Sequence, residues 1–384
     1  MVHRAPDVLC GIDVLERDGF AQLKGRKVAL ITNHTGRTRD GRFTSDVLAA
    51  APGMTLVCLF APEHGLRGLV DEAVKDGRDE KTGLPAYSLY NPGQGADRYR
   101  PKKEQLQGVD TIVFDIQDIG TRFYTYVGTL GYAMEAAARD GLEVVVLDRP
   151  NPITAIDADG PIADDRHLGL TAFHTIPLVH GMTAGELARL FNSERKIGAK
   201  LSVVKCEGWR RDMWWDETGL TWVNPSPNMR SPTEALLYPG IGLVEATNLS
   251  VGRGTDTPFE LVGAPWLDGR KLAAALNAKA VPGVRVYPLE FTPNASKFAN
   301  EPCGGVGFTV TDRAAFDSVR FGCELVFELH RLFPEWDSSR LVNLLQNSQT
   351  SQALLQGGYA AARRDWMPAL QAFRAVRKTH LLYR

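Results

Sequence analysis

No charge of one sign dominates this chain of 384 residues: 44 Lys and Arg stand against 45 Asp and Glu, a formal net charge of −1. That balance supplies no electrostatic footprint for a polyanion and argues against nucleic acid as a partner. Runs of about 18 apolar residues are missing, so no membrane insertion is expected. The first 26 residues alternate charged and apolar side chains and lack the apolar stretch of a secretory signal. The expectation is therefore a cytoplasmic protein, or a periplasmic or secreted one if the chain is a processed mature form. Cysteines are few and scattered. Cys10, Cys58, Cys206, Cys303 and Cys323 form no CxxC pair and have no zinc spacing, which leaves them as small apolar core residues. The familiar nucleotide and hydrolase fingerprints are absent too. Gly93-Gln94-Gly95 and Gly240-Ile241-Gly242 each lack the third glycine and the strand-to-helix setting, and no P-loop, GxSxG elbow or HExxH occurs.

What the chain does have is a succession of short Val/Ile/Leu runs without polar alternation. VALITN (28–33), TLVCLF (55–60), TIVFDI (111–116), EVVVLD (143–148) and LSVVKC (201–206) have the character of strands buried on both faces, hence of a parallel sheet covered by helices. Helical spacing is found at 44–51, at 127–140 with Gly141 as a stop, and at 183–196, where Thr183 and Glu186 have the spacing of a capping box. Repeated strand–helix–strand units predict a doubly wound, Rossmann-like sheet without a dinucleotide fingerprint. After about residue 209 the pattern changes. Residues 209–265 are rich in Pro, Gly, Asn and Trp, and such a long turn-rich stretch points to function. Helices are expected at 268–278, 314–332 and 366–383, and strands at 284–291 and 306–312. The overall expectation is α/β: a Rossmann-like domain over 1–209 and a smaller α+β domain over 210–384, whose loop region closes a cleft. At about 150 residues per domain the length fits two units.

Ligands of open α/β sheets sit at the carboxyl ends of the strands, and these exits are polar. They carry Asn33-His34, Glu63-His64, Asp115 to Tyr126, and Asp148-Arg149, and a further apolar run, TIPLV, ends at His180. Glu63 is the sharpest candidate. It follows a buried strand behind Pro62, where apolar walls would suit a general acid; the competing role is a surface Glu paired with Arg67. Asp115 and Asp118, three apart at a strand end, suit a base with its orienter or a pair of hydroxyl acceptors; the plainer alternative is an ion pair with Arg122 and a turn cap. Tyr124 and Tyr126 present phenols either to a ligand or to the core. Arg253, between Gly252 and Gly254 and downstream of Glu245 and Asn248, suits a carboxylate ligand. His34, His64 and His180 lack metal spacing, and no metal or other cofactor is expected.

Taken in order, FAPEHGLRG, FDIQDIGTRFYTY, VVLDRPNPI, PLVHGMTAGELARLFN, WVNPSPNM and YPGIGLVEATNLSVGRGTDTPFELVGAPW resemble the exo-acting β-N-acetylmuramidases, bacterial glycoside hydrolases of peptidoglycan. The resemblance runs from about residue 9 to the closing LLYR. It implies a Rossmann-like domain joined to a smaller one with the active site between them. The implied reaction is release of terminal, non-reducing N-acetylmuramic acid from peptidoglycan fragments during cell-wall recycling, with the PEHG glutamate, Glu63, as catalytic acid. A glycosidase of this kind needs a second group: Asp115, Asp118 or Glu245, or the substrate's own acetamide oxygen. Its lactyl carboxylate calls for a cation, Arg253 first and Arg122 second. Asn33, His64, Tyr124, His180 and Asn248 complete the expected binding set. A muropeptide-binding protein without catalysis, or a metal-dependent hydrolase, is the alternative on the same scaffold.

Overall fold

The computed structural model of the protein describes residues 7–63, 65–66, 76–90 and 95–384. Twelve strands occur among them: β1 Lys27–Thr32, β2 Thr55–Ala61, β3 Gly77–Arg78, β4 Pro85–Ser88, β5 Thr111–Asp115, β6 Glu143–Leu147, β7 Asp159–Ile162, β8 Pro177–Val179, β9 Lys200–Val204, β10 Leu261–Ala264, β11 Val284–Phe291 and β12 Cys303–Val310. The helices are α1 Gly11–Arg17, α2 Thr44–Ala49, α3 Tyr126–Asp140, α4 Ala184–Glu194, α5 Pro232–Ile241, α6 Gly269–Ala278, α7 Ser318–Leu332, α8 Val342–Leu345 and α9 Ser348–Lys378.

Seven strands form one sheet in the order β3-β4-β2-β1-β5-β6-β9, all parallel except the β3–β4 pair. The five apolar runs of the sequence are β1, β2, β5, β6 and β9. In β1, β2, β5 and β6 nearly every side chain is buried because helices cover both faces, which is why alternation is absent, whereas β9, at the sheet edge, exposes Lys200 and Ser202. The chain winds outward from β1 to β2 and β4, then returns to β5 on the other side of β1. The topological switch therefore lies between β1 and β5, where a crevice opens at the carboxyl ends. The TIPLV run departs from this scheme. It is β8, paired with β7 in a two-stranded antiparallel sheet and bridged at Val179 to Thr121, so His180 approaches the crevice from outside the main sheet.

The capping box at Thr183 and Glu186 starts α4: Glu186 N–H donates to Thr183 Oγ1 at 3.2 Å and Thr183 N–H to Glu186 Oε2 at 3.1 Å. An identical signature within the turn-rich stretch, Ser231 and Glu234 flanking Pro232, starts α5 where no helix was expected. Further on, β10, β12 and β11 form an antiparallel sheet backed by α6 and α7. The last helix is longer than its periodicity suggests. It begins at Ser348 and runs through a break at Gly358, then stops at Lys378 rather than at Tyr383. The tail beyond α9 returns to the main sheet. Tyr383 Oη donates to Asp148 Oδ2 at 2.6 Å, at the exit of β6, and Leu382 N–H donates to Glu186 Oε1 at 2.7 Å. Burial pushes the Asp148 carboxyl up to about 6. Among the described residues, no helix is long and apolar enough to cross a membrane.

Helices α5 and α7 cross at two glycines. A Cβ on Gly322 would stand 2.4 Å from the Gly240 Cα, and one on Gly240 would stand 2.2 Å from the Ser318 carbonyl oxygen. The Gly240-Ile241-Gly242 motif thus serves backbone packing. Gly322→Ala is expected to lower stability by at least about 1–3 kcal/mol through overpacking of the crossing, visible as a lower urea midpoint in chemical denaturation; an unchanged midpoint would show that the helices can separate freely.

Candidate active site

The crevice at the switch point is assembled strand by strand. After β1, Asn33 Oδ1 accepts the Thr35 N–H at 2.9 Å and the Thr35 hydroxyl at 2.6 Å. The Thr35 Oγ1 in turn accepts the Gln117 N–H at 3.0 Å and ties the β1 exit to the β5 exit. His34 Nε2 lies 2.5 Å from the Asn224 carbonyl oxygen, and Tyr126 Oη donates to the Pro225 carbonyl at 2.6 Å. The WVNPSPNM segment is therefore strapped across the strand exits from the other half of the chain.

Glu63 leaves β2 just beyond Pro62 and is half-buried. The Thr125 hydroxyl donates to its Oε2 at 3.3 Å. Three phenols feel its charge. Burial and then the Glu63 charge push the hydroxyls of Tyr90 and Tyr126 upward, and Tyr238 feels burial and Glu245 first and Glu63 as well. Tyr126 and Tyr238 pack edge-on against Tyr124, at 5.0 and 5.9 Å centroid to centroid, and Tyr90 packs edge-on against Tyr99 at 5.4 Å. All these phenols are neutral at ordinary pH, so the Glu63 carboxyl lies among neutral aromatic rings that feel its charge, with the Thr125 hydroxyl as its hydrogen-bond donor.

Across Tyr238 stands a second charged group. Glu245 Oε1 accepts from Arg253 Nε at 2.8 Å and Nη2 at 2.6 Å, and Tyr238 Oη lies 3.5 Å from Glu245 Oε2. Both partners keep part of their surface open, with side chains 20% and 30% exposed. Tyr238 senses Glu63, Glu245 and Arg253 together, which brings the two carboxyls and the arginine into one neighbourhood. Arg253, Glu245, Glu63 and Tyr124 thus converge.

The other candidates divide. Asp118 is buried at the β5 exit, where its Oδ2 accepts from Gly120 N at 2.7 Å and from His180 Nε2 at 3.1 Å. Met182 N–H donates to His180 Nδ1, so the proton on a neutral His180 sits on Nε2 and points at Asp118. The opposite oxygen, Asp118 Oδ1, is sealed from solvent without a protein partner, as are Gln117 Oε1 and Thr121 Oγ1 beside it. Asp118 and His180 therefore brace the 118–126 turn that carries Tyr124 and Tyr126.

Three expectations need correction. Asp115 pairs not with Arg122 but with Arg149, at 2.5 and 2.9 Å, and accepts the Thr44 hydroxyl; it is fully buried and faces no ligand. Arg122 is equally buried. Its guanidinium donates to the carbonyls of Pro161, Ile176, Leu344 and Leu345 and to Gln346 Oε1, so it clamps the C-terminal part to the β7–β8 region and has no donor to offer an anion. Asn248 holds the 335–337 turn instead of a sugar, through the Glu335 carbonyl and the Asp337 N–H. His64 lies outside the described residues. Among the described residues, no group of three or more His, Cys, Asp or Glu side chains is placed to share a metal ion.

Sequence reasoning missed Tyr90 and Tyr238, although Tyr238 stands in the YPGIGLVEATN motif. It also missed Lys297, which carries no motif at all.

Asp115→Ala should cost about 3–5 kcal/mol of stability, because Arg149 would be left charged and unpaired in the interior. Equilibrium unfolding checks this. A fully stable variant that had only lost turnover would return Asp115 to a chemical role.

A family model described as the N-terminal part of the exo-β-N-acetylmuramidase NamZ matches residues 28–233, and the model of its C-terminal part matches residues 236–383. The peptidoglycan β-N-acetylmuramidase NamZ of Bacillus subtilis is 42% identical over 387 residues, spanning 99% of this chain and 92% of that relative. A DUF1343 family protein of Bacteroides fragilis superposes with a TM-score of 0.90 at 35% identity, covering 99% of this chain and 100% of its own. A second protein of that description from the same organism gives a TM-score of 0.79 at 27% identity, covering 98% and 99%.

Proposed function

Because the chain belongs to the exo-β-N-acetylmuramidase family, we propose that it hydrolyses the bond that links a terminal, non-reducing N-acetylmuramic acid to the rest of a peptidoglycan fragment, with Glu63 as general acid. The observation that carries this reading is the setting of Glu63: a half-buried carboxyl at a strand exit beside the switch-point crevice, against Thr125 and the phenols of Tyr90, Tyr126 and Tyr238. In its protonated form Glu63 gives its proton to the glycosidic oxygen as the C1–O bond breaks. Water supplies hydroxide to C1, and the proton it sheds restores the acid over the cycle. The phenol rings shield the acid from bulk water.

Glu245 is the second carboxyl in this scheme. Asp115 is locked to Arg149, and the unpartnered oxygen of Asp118 is sealed from solvent, whereas Glu245 keeps open surface and shares Tyr238 with Glu63. The anomer released first, followed by NMR, narrows its role: inversion fits Glu245 as a base acting on water, and retention fits a nucleophile, either Glu245 or the substrate's own acetamide oxygen.

Glu63→Gln is expected to reduce turnover of a MurNAc–GlcNAc disaccharide by about 10²–10⁴-fold, with an unchanged thermal midpoint. Dinitrophenyl β-muramoside, whose leaving group needs no proton, should lose far less in its bond-breaking step. Equal losses on both substrates would remove Glu63 from the acid role, and wild-type protein inert on both would overturn the activity itself.

A further inference from the structure

The loop between β11 and β12 has an unusual backbone around a lysine. Ser296 and Phe298, which flank Lys297, and Asn300 beyond them have left-handed φ values of 65°, 58° and 64°. Side chains with a Cβ resist that conformation, and it persists where surrounding contacts impose it, commonly at functional sites. The contact here is with the arginine loop. A Cβ on Gly254, whose φ is 82°, would meet the Ala295 backbone N at 2.5 Å, and Asn294 N–H donates to the Gly254 carbonyl at 2.9 Å. The two loops are thus docked backbone to backbone.

From this loop the Lys297 side chain reaches the turn that precedes Arg253. Its ammonium donates to the carbonyl oxygen of Glu245 and, at 3.5 Å, to that of Leu249. Glu245 ends the helical turn Gly242–Val244, and carbonyls at a helix end receive no donor from the helix itself and carry partial negative charge. One ammonium therefore closes the 245–249 turn at both ends. Just beyond it, Ser250 N–H donates to the Gly263 carbonyl of β10 at 2.9 Å. With the turn closed, Glu245 and Arg253, eight residues apart, face each other, and Arg253 Nε donates to Glu245 Oε1 at 2.8 Å. Burial presses the Lys297 ammonium toward its neutral form, and the charge of Glu245 opposes this. A single loop thus holds both ends of the stretch, Gly254 through its backbone and Glu245 through Lys297.

Building on the muramidase reading, with Glu245 as its second carboxyl, we propose that Lys297 is a positioning residue for the reaction: by holding the Glu245 backbone it sets the carboxylate in the orientation that acts at C1. Lys297 itself touches neither the sugar nor the reacting atoms. Its effect passes through Glu245, and this separates it from a residue that only stabilises the fold.

The test follows Lys297→Met on the MurNAc–GlcNAc disaccharide and on dinitrophenyl β-muramoside. The variant should lose about 10- to 100-fold in kcat with little change in KM, as expected when a reacting group is displaced by a fraction of an ångström. The loss should be similar on both substrates, because the task of Glu245 does not depend on the leaving group. Lys297→Arg, which keeps donors for both carbonyls, should recover most of the rate. In a Glu245→Gln background, Lys297→Met should cost no more than about twofold further, since the group it positions is gone. Undiminished turnover in Lys297→Met, a loss confined to the disaccharide, or the same fold loss in both backgrounds would overturn the assignment and leave the muramidase reading intact. Should Lys297→Met fail to fold, Lys297→Gln, which keeps a donor for one carbonyl, takes its place in the same comparisons. Wild-type protein that cleaves neither substrate would overturn the muramidase reading, and this assignment with it.

Discussion

The buried pair of Asp115 and Arg149 is the interaction on which the crevice depends. Asp115 ends β5, the strand just across the switch point from β1, and Arg149 leaves β6 next to it. Arg149 also donates to the Arg37 carbonyl beyond β1, and Asp115 accepts from Thr44 at the start of α2. One ion pair therefore fixes three strand exits and a helix start in a single polar layer. Two charges withdrawn from water gain little net stability relative to an apolar pair, but breaking the pair is costly. Its role is to set geometry: with the exits of β1, β5 and β6 pinned, Asn33, Gln117 and Asp118 take fixed positions around the crevice.

On that base the site is built from two kinds of wall. One is the aromatic cluster of Tyr124, Tyr126 and Tyr238, extended by Phe123 and Phe259, whose rings stand edge-on to one another. Edge-on packing buries ring surface and fixes each ring against its neighbours, so the wall is rigid. The other wall is electrostatic, the Glu245–Arg253–Lys297 group. Tyr238 belongs to both. It comes from α5, a helix started by the Ser231 capping box and pressed onto α7 at Gly240 and Gly322. Distant packing thereby decides where a phenol stands relative to Glu63.

How much of this the sequence discloses follows from the physics of each element. Strands sealed on both faces announce themselves, because apolar side chains fill almost every position, and β1, β2, β5 and β6 lie within a residue or two of the apolar runs; the edge strand β9 does too, although it opens Lys200 and Ser202 to solvent. The capping box at Thr183 is equally legible, since the hydrogen bonds it makes are local. The box at Ser231 carries the same information, but the prolines and tryptophans around it hid it. Polarity at strand exits marks the region of the site yet does not sort ligand contacts from braces. Asp115, Asp118 and Arg122 are chemically apt, and their partners lie 34, 62 and up to 224 residues away. Pairing at that range is a property of the fold. Lys297 is the extreme case, since what makes it notable is the backbone around it and the loop it docks on.

The division of labour within the chain has a further consequence. Glu63 belongs to the parallel sheet, whereas Tyr238, Glu245, Arg253 and Lys297 follow the turn-rich stretch, and the two sets meet only because the later segments are sewn onto the sheet at several points. Asn224 and Pro225 are held by His34 and Tyr126, Arg122 is wrapped in carbonyls from Leu344 and Leu345, and the tail is fixed through Tyr383 to Asp148. Each tie is a buried polar contact whose loss would leave a donor or acceptor unpaired, so the two halves resist sliding past each other more than an apolar seam of the same area would. The proposed role of Glu63, acting on a sugar held by groups from the other half of the chain, requires such a seam. An error of about 1 Å between those groups can cost a hundredfold in rate, and polar contacts of defined length fix that spacing better than hydrophobic burial, which is indifferent to direction.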